Sequence, residues 1–370
     1  MRRFLDYYRQ FEALAPEEVS RELRERRDEQ RARAVTEQPV LDLASPAWHE
    51  PPHAEIVNAA TFALRRAVNA YTDAGDLAGT LAARHGVEPG RVVAGHGAGE
   101  LLRAACQAIL AGAGGEVPIA WPGWGHLPRL VGEAGGRPVG VPLGRDGAAD
   151  PASLAAAAGP RTRAVALASP NDPTGGTVDA AAIRRLAREL PAGTWILLDA
   201  ALADFDTAGG DLAALTSELD RLLVFRSFSK AHAMAGFRAG YAVGPLGEQE
   251  LLARLAPTLG VSAPAQAGMA WATANVARHL PRRRALAAAQ RERLAAALAG
   301  SQLAFPAGTG PLVWLSSAAH TGAELAAHLA ARRIFVTPGS AWGDDRHVRV
   351  ALRGAEATDR LAAALRDLPD

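Results

Sequence analysis

From about residue 55 onward the chain alternates helical patterns with short apolar runs, and that alternation restricts the fold more than any other feature. Helical stretches are predicted near 55–68, 75–86 and 180–190, and an apolar helix follows Gly95-His96-Gly97-Ala98-Gly99-Glu100 and ends near Gly112. The apolar runs are 117–121, 138–141, 164–168, 195–198 and 222–225. Strands interleaved with helices predict an α/β fold: a mostly parallel sheet covered by helices on both faces. Ligands of such sheets bind beyond the carboxyl ends of the strands, and the polar motifs of this chain fall at those ends.

The pattern changes towards the C-terminus. A long helical region at 264–299, broken around Leu280-Pro281, precedes short strands near 311–315, 334–336 and 347–351 and helices at 322–332 and 355–367. This predicts a smaller α+β domain. Near the N-terminus, 16–34 is predicted as a charged helix, with Pro16 suited to a first turn and Glu17/Arg21 and Glu22/Arg26 at i,i+4 spacing. The expected division is a helical arm over 1–40, a large α/β domain over 41–262 and a small domain over 263–370. The arm is expected to pack with the small domain or a partner subunit.

Several classes of protein are disfavoured by composition. Forty basic residues face 39 acidic ones, a net charge of +1, without the basic surplus of a nucleic-acid or anionic-membrane binder. A single cysteine, Cys106, rules out an internal disulfide and a cysteine-rich metal site. No apolar run reads as a membrane span, and the polar residues after Met1-Arg2-Arg3 lack the apolar core of a secretory signal. With 49% hydrophobic residues the chain can fill a large core. A cytoplasmic enzyme is expected.

Only one of the forty basic residues is a lysine, Lys230; all the others are arginine. A GC-rich coding sequence explains the arginines and makes the exception informative. Arginine does not lose its proton in a protein, whereas a desolvated lysine becomes a neutral amine that forms Schiff bases. The neighbours of Lys230 suit such chemistry. Arg226-Ser227-Phe228-Ser229-Lys230 follows a buried strand, and Gly236-Phe237-Arg238-Ala239-Gly240-Tyr241 comes soon after. Serine hydroxyls and a guanidinium fork can hold a phosphate dianion while the lysine reaches a carbonyl. Asp199 ends another strand, where it could cap a helix or pair with a protonated pyridine nitrogen. Ser169-Pro170-Asn171-Asp172-Pro173-Thr174-Gly175-Gly176 ends a third; taken alone it is an ordinary turn.

In this order and spacing, these motifs resemble the fold-type I pyridoxal 5'-phosphate (PLP) enzymes of the class I/II aminotransferase family, and within it the histidinol-phosphate aminotransferase-like branch. The resemblance covers roughly residues 40–353. It implies that Lys230 holds PLP as a Schiff base and moves the proton between substrate and cofactor. It implies that Asp199 pairs with the pyridine nitrogen. Ser227, Ser229 and Arg238 would hold the phosphate, together with the backbone of Gly97, Ala98 and Gly99 at a helix start. Trp124 would stack on the ring, and Asn171 or Asp172 would meet its phenolic oxygen. Tyr71 resembles the tyrosine that reaches the phosphate of the neighbouring subunit, which implies a homodimer. Arg349 resembles the small-domain arginine that binds the substrate carboxylate; Arg353 is its rival, and Arg349 is preferred.

Three departures from the family pattern stand out. Asp172 occupies the place of the asparagine before Pro-Thr-Gly. Leu202 replaces the tyrosine of Asp-x-x-Tyr, in Asp199-Ala200-Ala201-Leu202. Both remove donors from the phenolic oxygen, which should raise the pKa of the protonated Schiff base. Alternatively Asp172 is itself protonated, or the turn shifts so that Asn171 takes the role. Third, the family's early Asn-Glu-Asn-Pro segment is replaced by 43–52, where His49 is either a pocket residue or a loop histidine without a role.

The expected function is a PLP-dependent aminotransferase moving an amino group between an amino acid or amino-phosphate and a 2-oxo acid. A PLP decarboxylase or lyase on the same scaffold is the alternative within that chemistry, and a non-catalytic PLP-binding protein is the alternative outside it.

Overall fold

The computed structural model describes residues 21, 23–26, 38–72, 75–112 and 114–368. The helix expected over 16–34 lies outside the described residues except for Arg21 and 23–26, which are helical.

The strands in chain order begin with β1 (Leu41–Asp42), β2 (Val92–Gly95), β3 (Glu116–Trp121), β4 (Arg137–Pro142), β5 (Ala164–Ala168), β6 (Trp195–Asp199), β7 (Leu222–Ser227) and β8 (Gly240–Val243). Seven of them form one sheet in the order β2-β8-β7-β6-β5-β3-β4. From β7 to β4 all pairings are parallel, whereas β8 runs antiparallel to both β7 and β2.

Continuous apolar strands are required here because both faces of the sheet are covered. Val165, Leu167, Ile196, Leu198, Leu222 and Val224 point into one core, shared with helix Ala180–Glu189. The intervening Ala164, Ala166, Trp195, Leu197, Leu223 and Phe225 point into the other, shared with helix Ala98–Leu110. The period of two along each strand thus feeds two separate cores. Each fully buried leucine contributes about 1.5–3 kcal/mol over its exposed state, so neither face tolerates polar residues.

The C-terminal strands are β9 (Leu303–Ala304), β10 (Leu312–Ser317), β11 (Ile334–Phe335), β12 (Thr337–Pro338) and β13 (His347–Ala351). A four-stranded antiparallel sheet has the order β12-β13-β10-β9, while β11 pairs in parallel with β1. Val313, Leu315, Leu325, Leu329, Val348, Val350 and Leu361 fill a third core between this sheet and its helices.

The observed borders differ from the expected division at two points. Leu43 lies in the third core, so the chain from β1 to Leu43 packs with the C-terminal sheet. Helix Ala263–Ala274 packs on the large sheet's side, placing Ala265, Met269 and Ala272 in the first core. The helical break also moves. It falls at Asn275, between Ala263–Ala274 and Val276–Leu298, and Pro281 sits inside the second helix. Pro281 is early in that helix, where its missing N–H interrupts only the start of the hydrogen-bond ladder.

Candidate active site

A cavity of about 280 Å³ opens where β5, β6 and β7 end. Its lining includes Ala168, Asp199 and Ser227 from the strand ends, followed by Pro170, Asp172, Leu202, Ser229 and Lys230 from the loops beyond them. Helix Ala98–Leu110 contributes Ala98 and Gly99, Trp124 covers one side, and Arg238 closes another. The motif residues come together because parallel strands deliver all their carboxyl-end loops to one edge.

Local geometry explains several sequence choices. Gly97 precedes the helix with φ +94°, a conformation that favours glycine, and no side chain caps that helix start. A Cβ on Gly97 would stand 3.0 Å from Arg238 Nη2, and one on Gly99 would collide with the Trp124 ring at 2.8 Å. These glycines therefore let a guanidinium and an indole approach the helix start. Arg238 itself is left-handed, with φ 52°, and donates from Nη1 to Ala235 O at 3.0 Å. Ser227 Oγ accepts the Ser229 N–H at 3.1 Å, which sets the turn leading to Lys230.

The charged groups perturb one another. Burial pulls the Lys230 amine below the usual lysine range; Asp172 and Asp199 pull it back, while Arg349 and Arg238 add to the depression. Its Nζ lies 3.4 Å from Pro46 O. Burial raises the Asp199 carboxyl to about 6, opposed by the Ala201 N–H bond and by Lys230 and helped by Asp172. Ala201 N donates to Asp199 Oδ1 at 2.9 Å.

Other candidates fall elsewhere. Asn171 is buried but does not line the cavity; its Nδ2 donates to Pro122 O at 3.0 Å and to Thr174 Oγ1 at 3.1 Å. The alternative in which the turn shifts to present Asn171 is therefore corrected: its amide holds the turn together. Gly97 stands behind Arg238 rather than in the lining. Tyr71 is 85% exposed and away from the cavity of its own chain. His49 also lies outside the lining, stacked at an angle on Trp48. Leu202 lines the cavity and offers no donor where the family pattern has a tyrosine.

Arg349 and Arg353 have different surroundings. Arg349 pairs with Asp172, Nη1 to Oδ1 at 3.0 Å, and its Nη2 donates to Ala44 O at 2.9 Å. Arg353 instead holds a loop, donating to Asp42 O at 3.0 Å, Ala47 O at 3.1 Å and Ser45 O at 3.4 Å. That loop supplies Ser45, Pro46 and Ala47 to the cavity wall, so within segment 43–52 these residues, rather than His49, line the pocket. Arg283 carries no sequence signal either: it donates to Ala231 O at 2.7 Å and to Pro51 O at 2.6 Å, tying the Lys230 loop to segment 43–52.

A half-buried primary amine, a strand-end carboxylate, hydroxyls, a guanidinium and an uncapped helix start around one cavity make a donor set that fits PLP. The sequence family described as aminotransferase class I and II matches residues 40–365. The chain belongs to this family. An aromatic amino acid aminotransferase of Corynebacterium jeikeium is 35% identical over 330 residues, covering 85% of this chain and 84% of that protein. A histidinol-phosphate aminotransferase of Paracoccus denitrificans is 36% identical over 230 residues, covering 62% and 61%. Among solved structures, histidinol-phosphate aminotransferase from Sinorhizobium meliloti in complex with PLP superposes with a TM-score of 0.79 at 25% identity, covering 91% of this chain and 92% of that one. The aspartate aminotransferase of Rhizobium meliloti gives 0.78 at 27% identity, covering 92% and 95%.

The chain is accordingly a PLP-dependent aminotransferase of fold type I, exchanging an amino group between an amino donor and a 2-oxo acid. These relatives do not favour the lyase or the non-catalytic alternative. Among the described residues no helix is long and apolar enough to cross a membrane.

Proposed function

We propose that Lys230 is the amine that carries the cofactor and moves the substrate proton, and that the amino donor is an aromatic or heteroaromatic amine. The convergence of the chain's only lysine with Asp199 and Arg238 on one cavity carries the first part. The second part is supported by the names of the relatives, aromatic amino acid and histidinol-phosphate aminotransferases, and by a wall containing Trp124, Leu102, Leu202 and Pro46.

When bound, PLP supplies an aldehyde that condenses with amines and a ring that accepts electrons from the α-carbon. Asp199 would pair with the ring nitrogen. Arg238, Ser227, Ser229 and the N–H groups of Ala98 and Gly99 would hold the phosphate, and Trp124 would lie against the ring. Once freed, Lys230 Nζ takes the proton from the donor's α-carbon; a depressed lysine pKa gives a larger neutral fraction for that task. The loop of Ser45, Pro46 and Ala47, with Pro46 O 3.4 Å from Nζ, would limit access of water to the amine. Arg349 would face the substituent on the amine-bearing carbon.

The functional unit in this proposal is a homodimer. Phe62, Val68, Tyr71 and Leu259 are apolar or aromatic and highly exposed on one chain, which suits cover by a second copy, and in that dimer Tyr71 is the residue proposed to reach its neighbour's cofactor phosphate. The location proposed is the cytoplasm, which cell fractionation checks.

Borohydride trapping followed by mass spectrometry tests the central assignment. A pyridoxyl group on Lys230 is expected, and its absence there overturns the reading. Aromatic amino acids and aromatic amino alcohols, free or phosphorylated, are added without an acceptor; bleaching of the visible band of the lysine-bound cofactor by at least one of them is expected, while carbon dioxide release would point to a lyase.

A further inference from the structure

Asp172 lines the cavity and pairs with Arg349, which is not itself in the lining, so a carboxylate of the protein already occupies the guanidinium proposed to meet the substrate. Its Oδ1 lies 3.0 Å and its Oδ2 3.4 Å from Arg349 Nη1. Nη2 of the same guanidinium is committed to Ala44 O at 2.9 Å and Thr337 Oγ1 at 3.4 Å. Both charged side chains are only 12% exposed. The Trp342 ring covers the guanidinium, with 5.2 Å from Cζ to the centroid, so water and counter-ions screen the pair weakly.

A ligand carboxylate arriving at Arg349 has two options. It can share the cation with Asp172, bringing two anions close together in a poorly solvated site. Or it can displace Asp172, which then loses its partner while still largely buried, a costly state for a charge. The other ionisable groups facing Asp172 give little relief. Asp199 is a second carboxyl, and Lys230, whose charge Asp172 favours, is engaged with the cofactor in the holoenzyme under the proposed function. A neutral substituent avoids both costs, and a hydroxyl there can donate to Asp172.

We propose that Asp172 is a specificity-determining residue. By acting as an internal competitor at Arg349 it weakens binding of ligands that present a carboxylate there. It favours amino donors whose amine-bearing carbon carries a neutral, hydrogen-bond-donating substituent such as a hydroxymethyl group. This inference rests on the proposed orientation of the donor towards Arg349. A 2-oxo acid acceptor still binds, but against the same competition, so its concentration requirement is high.

Calorimetric titration of the holoenzyme with two unreactive probes of similar skeleton, 3-phenylpropionate and 3-phenylpropan-1-ol, tests it. Asp172→Asn is expected to bind the carboxylate about tenfold tighter or better than wild type, with the alcohol changed by less than about threefold. Adding Arg349→Gln to Asp172→Asn is expected to abolish the gain. Asp172→Ser provides a second replacement should the amide disturb the turn. Equal carboxylate affinity in wild type and both replacements, while amino donors still bleach the cofactor band, overturns this inference alone. A holoenzyme that binds neither probe and reacts with no donor overturns both it and the proposed function.

Discussion

His232 Nε2 stands 2.9 Å from Asp204 Oδ2, joining the loop that carries Lys230 to the segment that follows Asp199. Asp204 also takes Arg226 Nη2 at 2.7 Å and an Arg84 guanidinium nitrogen, so one buried carboxylate serves a buried and a half-buried cation. His232 Nδ1 meets His279 Nε2 at 2.9 Å, extending the network to helix Val276–Leu298. Asp204 thus joins the Lys230 loop, the segment after Asp199, strand β7 and helix Gly75–His85, and His232 carries the network on to helix Val276–Leu298.

Removing that carboxylate should be severe. Burial opposes the Asp204 charge, but Arg226, Arg84 and His232 outweigh it and hold its pKa well below the usual carboxylate range. Asp204→Ala leaves the buried Arg226 and half-buried Arg84 guanidinium groups without this anion, a loss of about 3–5 kcal/mol at neutral pH, read by urea unfolding. The sign with pH follows from the depressed native pKa. The contribution is complete above the ordinary unfolded carboxylate value and disappears as pH falls through the native one. The deficit of the variant should therefore persist at pH 6–8 and narrow only in strong acid. A deficit unchanged between neutral and strongly acidic pH would contradict this account.

Asp199 has the opposite sign. Its native carboxyl, raised to about 6, binds protons more readily than an unfolded aspartate, so ionising it costs stability. The cost is absent below the unfolded value and complete above the native one. In the cofactor-free protein Asp199→Asn should be more stable than wild type at pH 7.5, by up to about 3 kcal/mol. The gain should shrink through pH 6 and vanish near pH 4. The same variant should bind PLP much more weakly, because the ring nitrogen loses its anionic partner. Denaturant melts across pH, paired with PLP titration, check both; a variant less stable at pH 7.5 would count against the electrostatic reading.

The site was legible where its chemistry lies in contiguous motifs. Lys230, Ser227, Ser229 and Arg238 fall within one short stretch, and Asp199 and Asp172 follow apolar runs, so the strand-end rule placed them at one edge while the resemblance to the family supplied their roles. Residues whose role depends on distant partners left no local signal. Arg84 and Asp204 pair across 120 positions and Arg283 and Pro51 across 232, and each reads in sequence as an ordinary surface charge or turn. β2 and β8 were not read as strands because they are four residues long and end or begin in glycine. The shift of the helix break from Pro281 to Asn275 shows tertiary packing overriding a local breaker.

Gly99→Ala tests the close approach of Trp124 to the helix start. The added Cβ would stand 2.8 Å from the indole, which must move, while the helical backbone accepts alanine readily. Cofactor affinity should fall by about tenfold or more with global stability changed by no more than about 1 kcal/mol. Fluorescence-monitored PLP titration and thermal melts separate the two effects, and unaltered affinity would show that the ring position is not critical.

Arg353 acts through the loop it holds. Its guanidinium bonds the carbonyls of Asp42, Ser45 and Ala47, and that loop brings Pro46 O to 3.4 Å from Lys230 Nζ. Arg353→Ala frees the loop, with a loss of about 1–3 kcal/mol from the carbonyl contacts. Its effect on turnover should be general, lowering kcat for every donor, since the wall beside the amine is loosened whatever the substrate carries. Arg349→Gln should instead discriminate: KM should rise for donors with an anionic substituent and change little for neutral ones. Steady-state kinetics with one amino acid and one amino alcohol of matched skeleton distinguish the two arginines. If Arg353→Ala affected only the anionic donor, Arg353 rather than Arg349 would be the group that meets the substrate.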